Sequence, residues 1–405
     1  MNSASNEQEN EEQGDIFLDE SDIIQEIPFD DEELPEADEE HGDSDGDEHI
    51  EEADDSVHIF TGHTGYWSTG EDELYTVACS PTDPTLVATG GGDDKGFMWR
   101  IGQGDWAFEL QGHEESVSSV SFSADGQLLA SGSFEGIINI WDVSSEKLKY
   151  KLDGPGGGIE WIKWHPRGHL VLAGSDDFSV WMWNADKGVY LNMFTGHGAT
   201  VTCGDFTPDG KTICTGSDDA SLRIWNPKTG ENIHEIRGHP YHKDGITCMA
   251  ISPDSSVVLT GSKDHKVHMV NISSGKVICS LTEHTDSVEC VGFSPSGPWA
   301  ATGSLDHKLI VWDLKHSEPR NKFHHEDGVS CLTWIGTSRF IATGCVDGKV
   351  RVWDSLSGGE RETPVRTFSG HTEPVQSLSV SADRNFLVSV ALDGTARVFE
   401  IDELK

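Results

Sequence analysis

The chain has 405 residues and a formal net charge of −43, from 28 Lys and Arg against 71 Asp and Glu. That balance argues against direct electrostatic binding to nucleic-acid phosphate or anionic lipid and favours basic partners. No apolar run approaches the length of a membrane span, and Met1-Asn2-Ser3-Ala4 lacks the basic-then-apolar order of a signal peptide, so a cytoplasmic and also nuclear location without membrane insertion is expected.

In chain order, residues 1–56 come first and differ from everything after them. They hold 25 Asp or Glu and no Lys or Arg. A block of like charge repels itself and is expected to be disordered. Ile16, Phe17, Leu18, Ile23, Ile24, Ile27, Phe29 and Leu34 are spaced among the acids. Two readings follow: a solubilising tail, or a segment that orders along a basic, partly apolar partner.

From residue 57 a repeat takes over. Its clearest copy is Gly196 to Asn226, which opens on Gly196-His197 and closes on Trp225-Asn226. Short apolar runs at 201–203, 212–214 and 222–225 are separated by turn residues at 207–210 and 217–220. This punctuation predicts strands a, b and c of an antiparallel meander, with strand d just before the next Gly-His. The units end at Trp99, Trp141, Trp183, Trp225, Val270, Trp312, Trp353 and Phe399, at intervals of 42, 42, 42, 45, 42, 41 and 46 residues. The last unit has no strand d after Phe399. The unused run Val57-His58-Ile59-Phe60 is expected to supply it, closing residues 57–405 into a ring of eight sheets without open edges. The eight cysteines form no C-x-x-C pair and are expected to be reduced.

A period in the low forties, Gly-His opening and Trp-Asp closing resemble the WD-repeat family, over residues 57 to about 400. The resemblance implies an all-β, eight-bladed β-propeller preceded by the acidic tail, and a monomer is expected. It also implies a buried hydrogen-bond chain in each blade, from a turn acid to the Gly-His histidine, a strand-b hydroxyl and the strand-c indole. Carried onto this sequence, that chain is His113, Ser131 and Trp141 in unit 2. It is His197, Thr215, Asp219 and Trp225 in unit 4, and His284, Thr302, Asp306 and Trp312 in unit 6. His63 and His371 fill the histidine position in units 1 and 8, His239 is expected to in unit 5, and His325 is a looser candidate in unit 7. These sets look like catalytic triads but are read as structural, and no enzyme is expected. Unit 2 has Glu135 where the turn Asp belongs. Unit 3 lacks the Gly-His and carries Ala173 for the hydroxyl, with Trp161, Trp164, Trp181 and Trp183 as candidate packing or ligand-bordering residues.

Other motifs fail. Asp209-Gly210-Lys211-Thr212 lies in a hairpin rather than between strand and helix, so it is no phosphate loop. His324-His325-Glu326-Asp327 lacks metal-ligand spacing, and neither a metal nor a cofactor is expected.

The resemblance places partner binding on one end of the propeller, at residues flanking the first apolar residue of strand a and preceding the turn acid. The first set includes Glu73, Tyr75, Glu160, Thr200, Thr202 and Glu289. The second includes Phe134, Asp176, Asp218, Leu305, Val346 and Leu392, with Glu135 beside them. Acids gather on units 3 and 4 and apolar residues on units 6 to 8, which suits a basic peptide with a few large apolar side chains. Within the family, the acidic tail, eight units and Val57-His58-Ile59-Phe60-Thr61-Gly62-His63 resemble propellers that escort a newly made basic protein of the large ribosomal subunit. The implied function is a chaperone for that protein's basic N-terminal segment. The alternative is a signalling or trafficking adaptor that binds receptor tails or small GTPases.

Overall fold

A computed structural model describes residues 54–63, 73–104, 106–357 and 363–404. The acidic tail, as far as residue 53, lies outside the described residues. The described chain forms eight four-stranded antiparallel sheets. Blade 1 runs from Leu74–Cys79 through Leu86–Gly91 and Gly96–Arg100 to Ala107–Glu109. Blades 2 to 7 repeat the order a-b-c-d along the chain. Blade 8 takes strands a, b and c from Val375–Val380, Phe386–Ala391 and Ala396–Glu400, and strand d from His58–Phe60. His58 pairs with Val398 and Phe60 with Ala396. Among the described residues no helix is long and apolar enough to cross a membrane.

Strands b and c are almost wholly buried, because each sheet is covered by a neighbour on both faces. The core therefore lies between blades. One cluster joins Leu128, Ile138 and Ile140 of blade 2 to Ile159, Val171 and Trp183 of blade 3. Another joins Phe60, Val388 and Val398 of blade 8 to Leu74, Val87 and Trp99 of blade 1, with Phe60 and Trp99 stacked at 4.8 Å. Burying a side chain of that size contributes about 1.5–3 kcal/mol. The ring is also clasped by polar contacts: Asp54 pairs with Arg397, and Asp55 exchanges hydrogen bonds with the backbone of Ser369. All eight cysteines are free thiols, and burial pushes those of Cys79, Cys203, Cys331 and Cys345 up to about 12.

Candidate functional site: the face bearing the b–c turns

One end of the ring carries the b–c turns and the loops that enter strand a. A single backbone bond, repeated eight times, brings the two together. The residue before the turn acid donates its N–H to the carbonyl of the residue preceding strand a's first apolar residue. The donors are Gly92, Phe134, Asp176 and Asp218 in blades 1–4, and Lys263, Leu305, Val346 and Leu392 in blades 5–8, at 2.8–3.1 Å. The two sets of expected binding positions are thus neighbours in every blade.

On this frame the charges of Asp176 and Asp218 act on Glu160. Burial, then the charges of Asp176 and Asp218, raise the Glu160 carboxyl above its ordinary range. Asp176 is exposed, and its carboxylate lies where a side chain at Gly157 would be. A side chain at Gly158 would likewise press on Phe134, within 2.9–3.1 Å of its backbone and ring. The glycine run of blade 3 therefore lets an acid and an aromatic ring settle against the loop. Phe134 is 41% exposed, its ring centroid 6.5 Å from that of Tyr75, whose hydroxyl donates to Glu73 at 3.1 Å. Across the ring, Leu305 is exposed and flanks Gly328 together with Val346, while Leu392 is half-buried. Thr200 and Glu289 are half-buried, and Glu289 acts on Lys263 from nearby.

Two expected binding residues are otherwise engaged. In seven blades the register slips by one just after strand a begins, a β-bulge that re-aims the extra residue. Where this residue is Ser or Thr it bridges to the next blade: Ser118 to the Ile159 carbonyl, Thr247 to Val288, and Ser330 to Val375 at 2.5 Å. Thr202 makes the same bridge to Ile246, also at 2.5 Å, so its hydroxyl is a clasp between blades rather than a ligand contact. Glu160 holds the equivalent place in blade 3 and cannot supply that hydroxyl. Glu135 is the second correction. Its carboxylate accepts from His113 Nδ1 at 2.9 Å, so it takes the turn Asp's role inside the blade.

The buried chain runs indole to hydroxyl to imidazole to carboxylate. Trp225 donates to Thr215 and Trp312 to Thr302, each at 2.8 Å. The hydroxyls meet His197 and His284 at Nε2 at 2.8 and 2.7 Å, and their Nδ1 atoms face Asp219 and Asp306. Burial would raise these acids, but hydrogen bonds from the histidines together with those from Ser221 and the Gly198 N–H to Asp219 and from the Thr285 N–H to Asp306 outweigh it and hold both well below the usual carboxylate range. In blade 2, Trp141 donates to Ser131, which meets His113. Thr215, Thr302 and Ser131 are completely buried, so no substrate reaches these hydroxyls.

Blade 5 corrects the histidine assignment. His239 is exposed, whereas His242 faces Asp264 at 3.0 Å and Thr260 at 2.9 Å. Tyr241 places its hydroxyl 2.8 Å from Thr260, where the missing indole would donate. In blade 7, His325 meets Thr343 at 3.0 Å, but Asp347 pairs with Arg351 instead. The tryptophans of blade 3 serve packing: Trp161 donates to the Val201 carbonyl of blade 4 and Trp164 to the Ser121 carbonyl of blade 2. Lys263 holds the position before the turn acid in blade 5, as expected, but it is already paired: its ammonium lies 2.7 Å from Asp218.

A WD-domain, G-beta-repeat model matches residues 104–142, 146–184, 188–226, 230–271, 275–313, 317–354 and 362–400. This chain belongs to the WD-repeat family. Strands a, b and c of the first blade lie ahead of the matched repeats, yet His63 there still faces Asp93 at 2.9 Å and Thr89 at 3.0 Å. The WD-repeat chain is 38% identical over 74 residues to the angio-associated migratory cell protein of Homo sapiens, an alignment covering 18% of this chain and 15% of that protein. It thus spans only that 15% of the curated relative's length. Among solved structures it resembles Chaetomium thermophilum Sqt1 bound to the N-terminus of ribosomal protein L10, with 25% identity, a TM-score of 0.78, and coverage of 86% of this chain and 100% of that one. Saccharomyces cerevisiae Sqt1 shares the fold at 23% identity and a TM-score of 0.77, over 86% and 99% of the two chains.

Proposed function

We propose that this WD-repeat propeller is a dedicated escort that holds the basic N-terminal segment of a newly made large-subunit ribosomal protein on the face bearing the b–c turns. The observation that carries the reading is that the acids Glu160, Asp176 and Asp218 share one face with the exposed ring of Phe134, Asp176 and Phe134 packing against the adjacent glycines Gly157 and Gly158. Carboxylates grip Arg through paired charge-assisted hydrogen bonds, and an exposed ring takes a stacked or apolar neighbour. The complex of the Chaetomium propeller with the L10 N-terminus supports the choice of partner. The 18 net negative charges that remain after residues 1–56 would steer such a segment in. Eight free thiols suit an encounter in the reducing cytoplasm.

The test is calorimetric titration with a synthetic peptide of the L10 N-terminus at two salt concentrations. Binding is expected to weaken with salt, and Glu160→Lys with Asp176→Lys is expected to cost tenfold or more, at about 1.4 kcal/mol per decade. Unchanged affinity in that double variant would overturn the assignment of this face. Affinity purification from translating cells addresses the partner separately: a receptor tail or small GTPase dominating the eluate would redirect the reading to a signalling or trafficking adaptor.

A further inference from the structure

Blade 5 departs from the repeat at three places that lie together. Its unit is three residues longer than its neighbours', Val270 replaces the closing indole, and His268 stands two residues before it on strand c. The equivalent positions in blades 2, 4 and 6 are Asn139, Arg223 and Ile310. His268 is 1% exposed. Its Nδ1 is held by Ser280 Oγ at 2.8 Å, while its Nε2 is buried with no hydrogen-bond partner. A bare, buried ring nitrogen costs about 1–3 kcal/mol if nothing meets it. It lies in the densest histidine contact of the blade, with the rings of His268 and His242 4.4 Å apart between centroids. One ligand atom each from His242, Asp264 and His268 falls within 4.8 Å of the others.

We propose that His242, Asp264 and His268 form a binding site for one Zn²⁺ ion. Two imidazoles and a carboxylate are a borderline donor set that suits zinc; there are too few oxygens for calcium and no thiolate to favour copper(I). Tetrahedral zinc with bonds of about 2.0–2.1 Å places neighbouring donors roughly 3.3 Å apart. His242 Nδ1 and Asp264 Oδ1 already stand 3.0 Å apart, so the ion takes the place of the proton between them and His268 closes in. The proton on His242 moves from Nδ1 to Nε2, which faces Thr260 Oγ1 at 2.9 Å, so the ring loses none. Ser280 and Thr260 then act as the outer partners that orient the two rings. A water completes the shell. The ion ties the strand-a loop, the b–c turn and strand c together, the three parts that Trp312 and its partners join in blade 6.

The test uses the full chain, stripped with a chelator, desalted and reloaded with Zn²⁺, alongside His268→Asn and the exposed control His316→Asn. Asparagine is accommodated at the equivalent place in blade 2, where Asn139 is fully buried, so the first variant is expected to fold. Metal content after gel filtration is expected to be one Zn²⁺ per chain higher in the unaltered protein and in His316→Asn than in His268→Asn. Acidic residues 1–53 are common to all three and cancel. Zn²⁺ is also expected to raise Tm in the first two proteins only, and Co²⁺ in its place to give a visible absorption band that His268→Asn lacks. Equal Zn²⁺ content in the unaltered protein and His268→Asn, or no Zn²⁺-dependent rise in Tm, would overturn the proposal. Peptide affinity is a separate readout and is expected to be the same with and without the ion.

Discussion

Lys263 of blade 5 reaches across to Asp218 of blade 4 and sets its ammonium 2.7 Å from the carboxylate. That hydrogen bond, only partly opposed by burial, raises the lysine's pKa, so its ammonium stays charged throughout the neutral range. Lys263 occupies the place that a cation of a basic partner would take. An incoming Arg must displace it or share its carboxylate.

Replacing this internal cation is therefore expected to tighten binding of a basic peptide. Lys263→Met leaves Asp218 free at no cost in packing, since the lysine is half exposed. An exposed pair is worth about 0.2–1 kcal/mol, so affinity for a basic peptide is expected to rise about 1.4- to fivefold. Calorimetry at low salt measures it, and a steeper salt dependence should accompany the gain. An affinity that falls would mean that Lys263 contacts the partner itself.

Through Glu160, affinity for a basic peptide is expected to depend on pH. Its carboxyl is raised by burial first and by Asp176 and Asp218 next. A raised acid keeps its proton to higher pH than an ordinary glutamate, and protonated it offers no charge to a cation. Affinity for a basic peptide is accordingly expected to fall as pH drops through that raised value, before ordinary carboxylates titrate. The same titration with Glu160→Gln should lack this upper limb, at lower affinity throughout.

Glu135 offers a control of opposite kind. Its carboxylate is committed to His113. Glu135→Ala leaves the buried Nδ1 of His113 without its partner and is expected to cost about 1–3 kcal/mol of stability, seen as a lowered midpoint in urea unfolding. Peptide affinity of the folded variant should stay within a factor of two, a spread of about 0.4 kcal/mol.

In blade 5, Tyr241→Phe removes the hydroxyl that meets Thr260. A loss of about 1–1.5 kcal/mol is expected. His239→Ala, on the exposed side of the same loop, is expected to change stability by less than about 0.5 kcal/mol. Thermal unfolding of the two variants side by side separates the roles.

The ring of eight blades was legible because each unit repeats its spacing and each carries its own closing residue. The inside of a blade was less so. His239 satisfies the Gly-His pattern, yet the longer loop of blade 5 carries His242 into the buried position. A better signal was present: His113, His197, His242, His284, His325 and His371 each stand 18 residues before their hydroxyl partner. That distance holds because strands a and b and their turn keep their length while the loop ahead of them does not. The clasp by Thr202 and the pairing of Lys263 with Asp218 join neighbouring blades, so no pattern within one unit reveals them. The engagement of Glu135 was hidden by reading a one-carbon longer acid as a surface residue.

The strand His58–Phe60 is among the first parts of the propeller to be synthesised and must wait for its partner. Asp54 is separated from Arg397 by 343 residues. At about 5–20 residues per second, the ribosome takes roughly 20–70 s to cover that distance. Throughout that interval blades 1 to 7 can assemble while the strand that completes blade 8 stays single and its apolar edge unpaired. A nascent-chain experiment should find this strand open to protease until the last hairpin emerges, and shielded soon after.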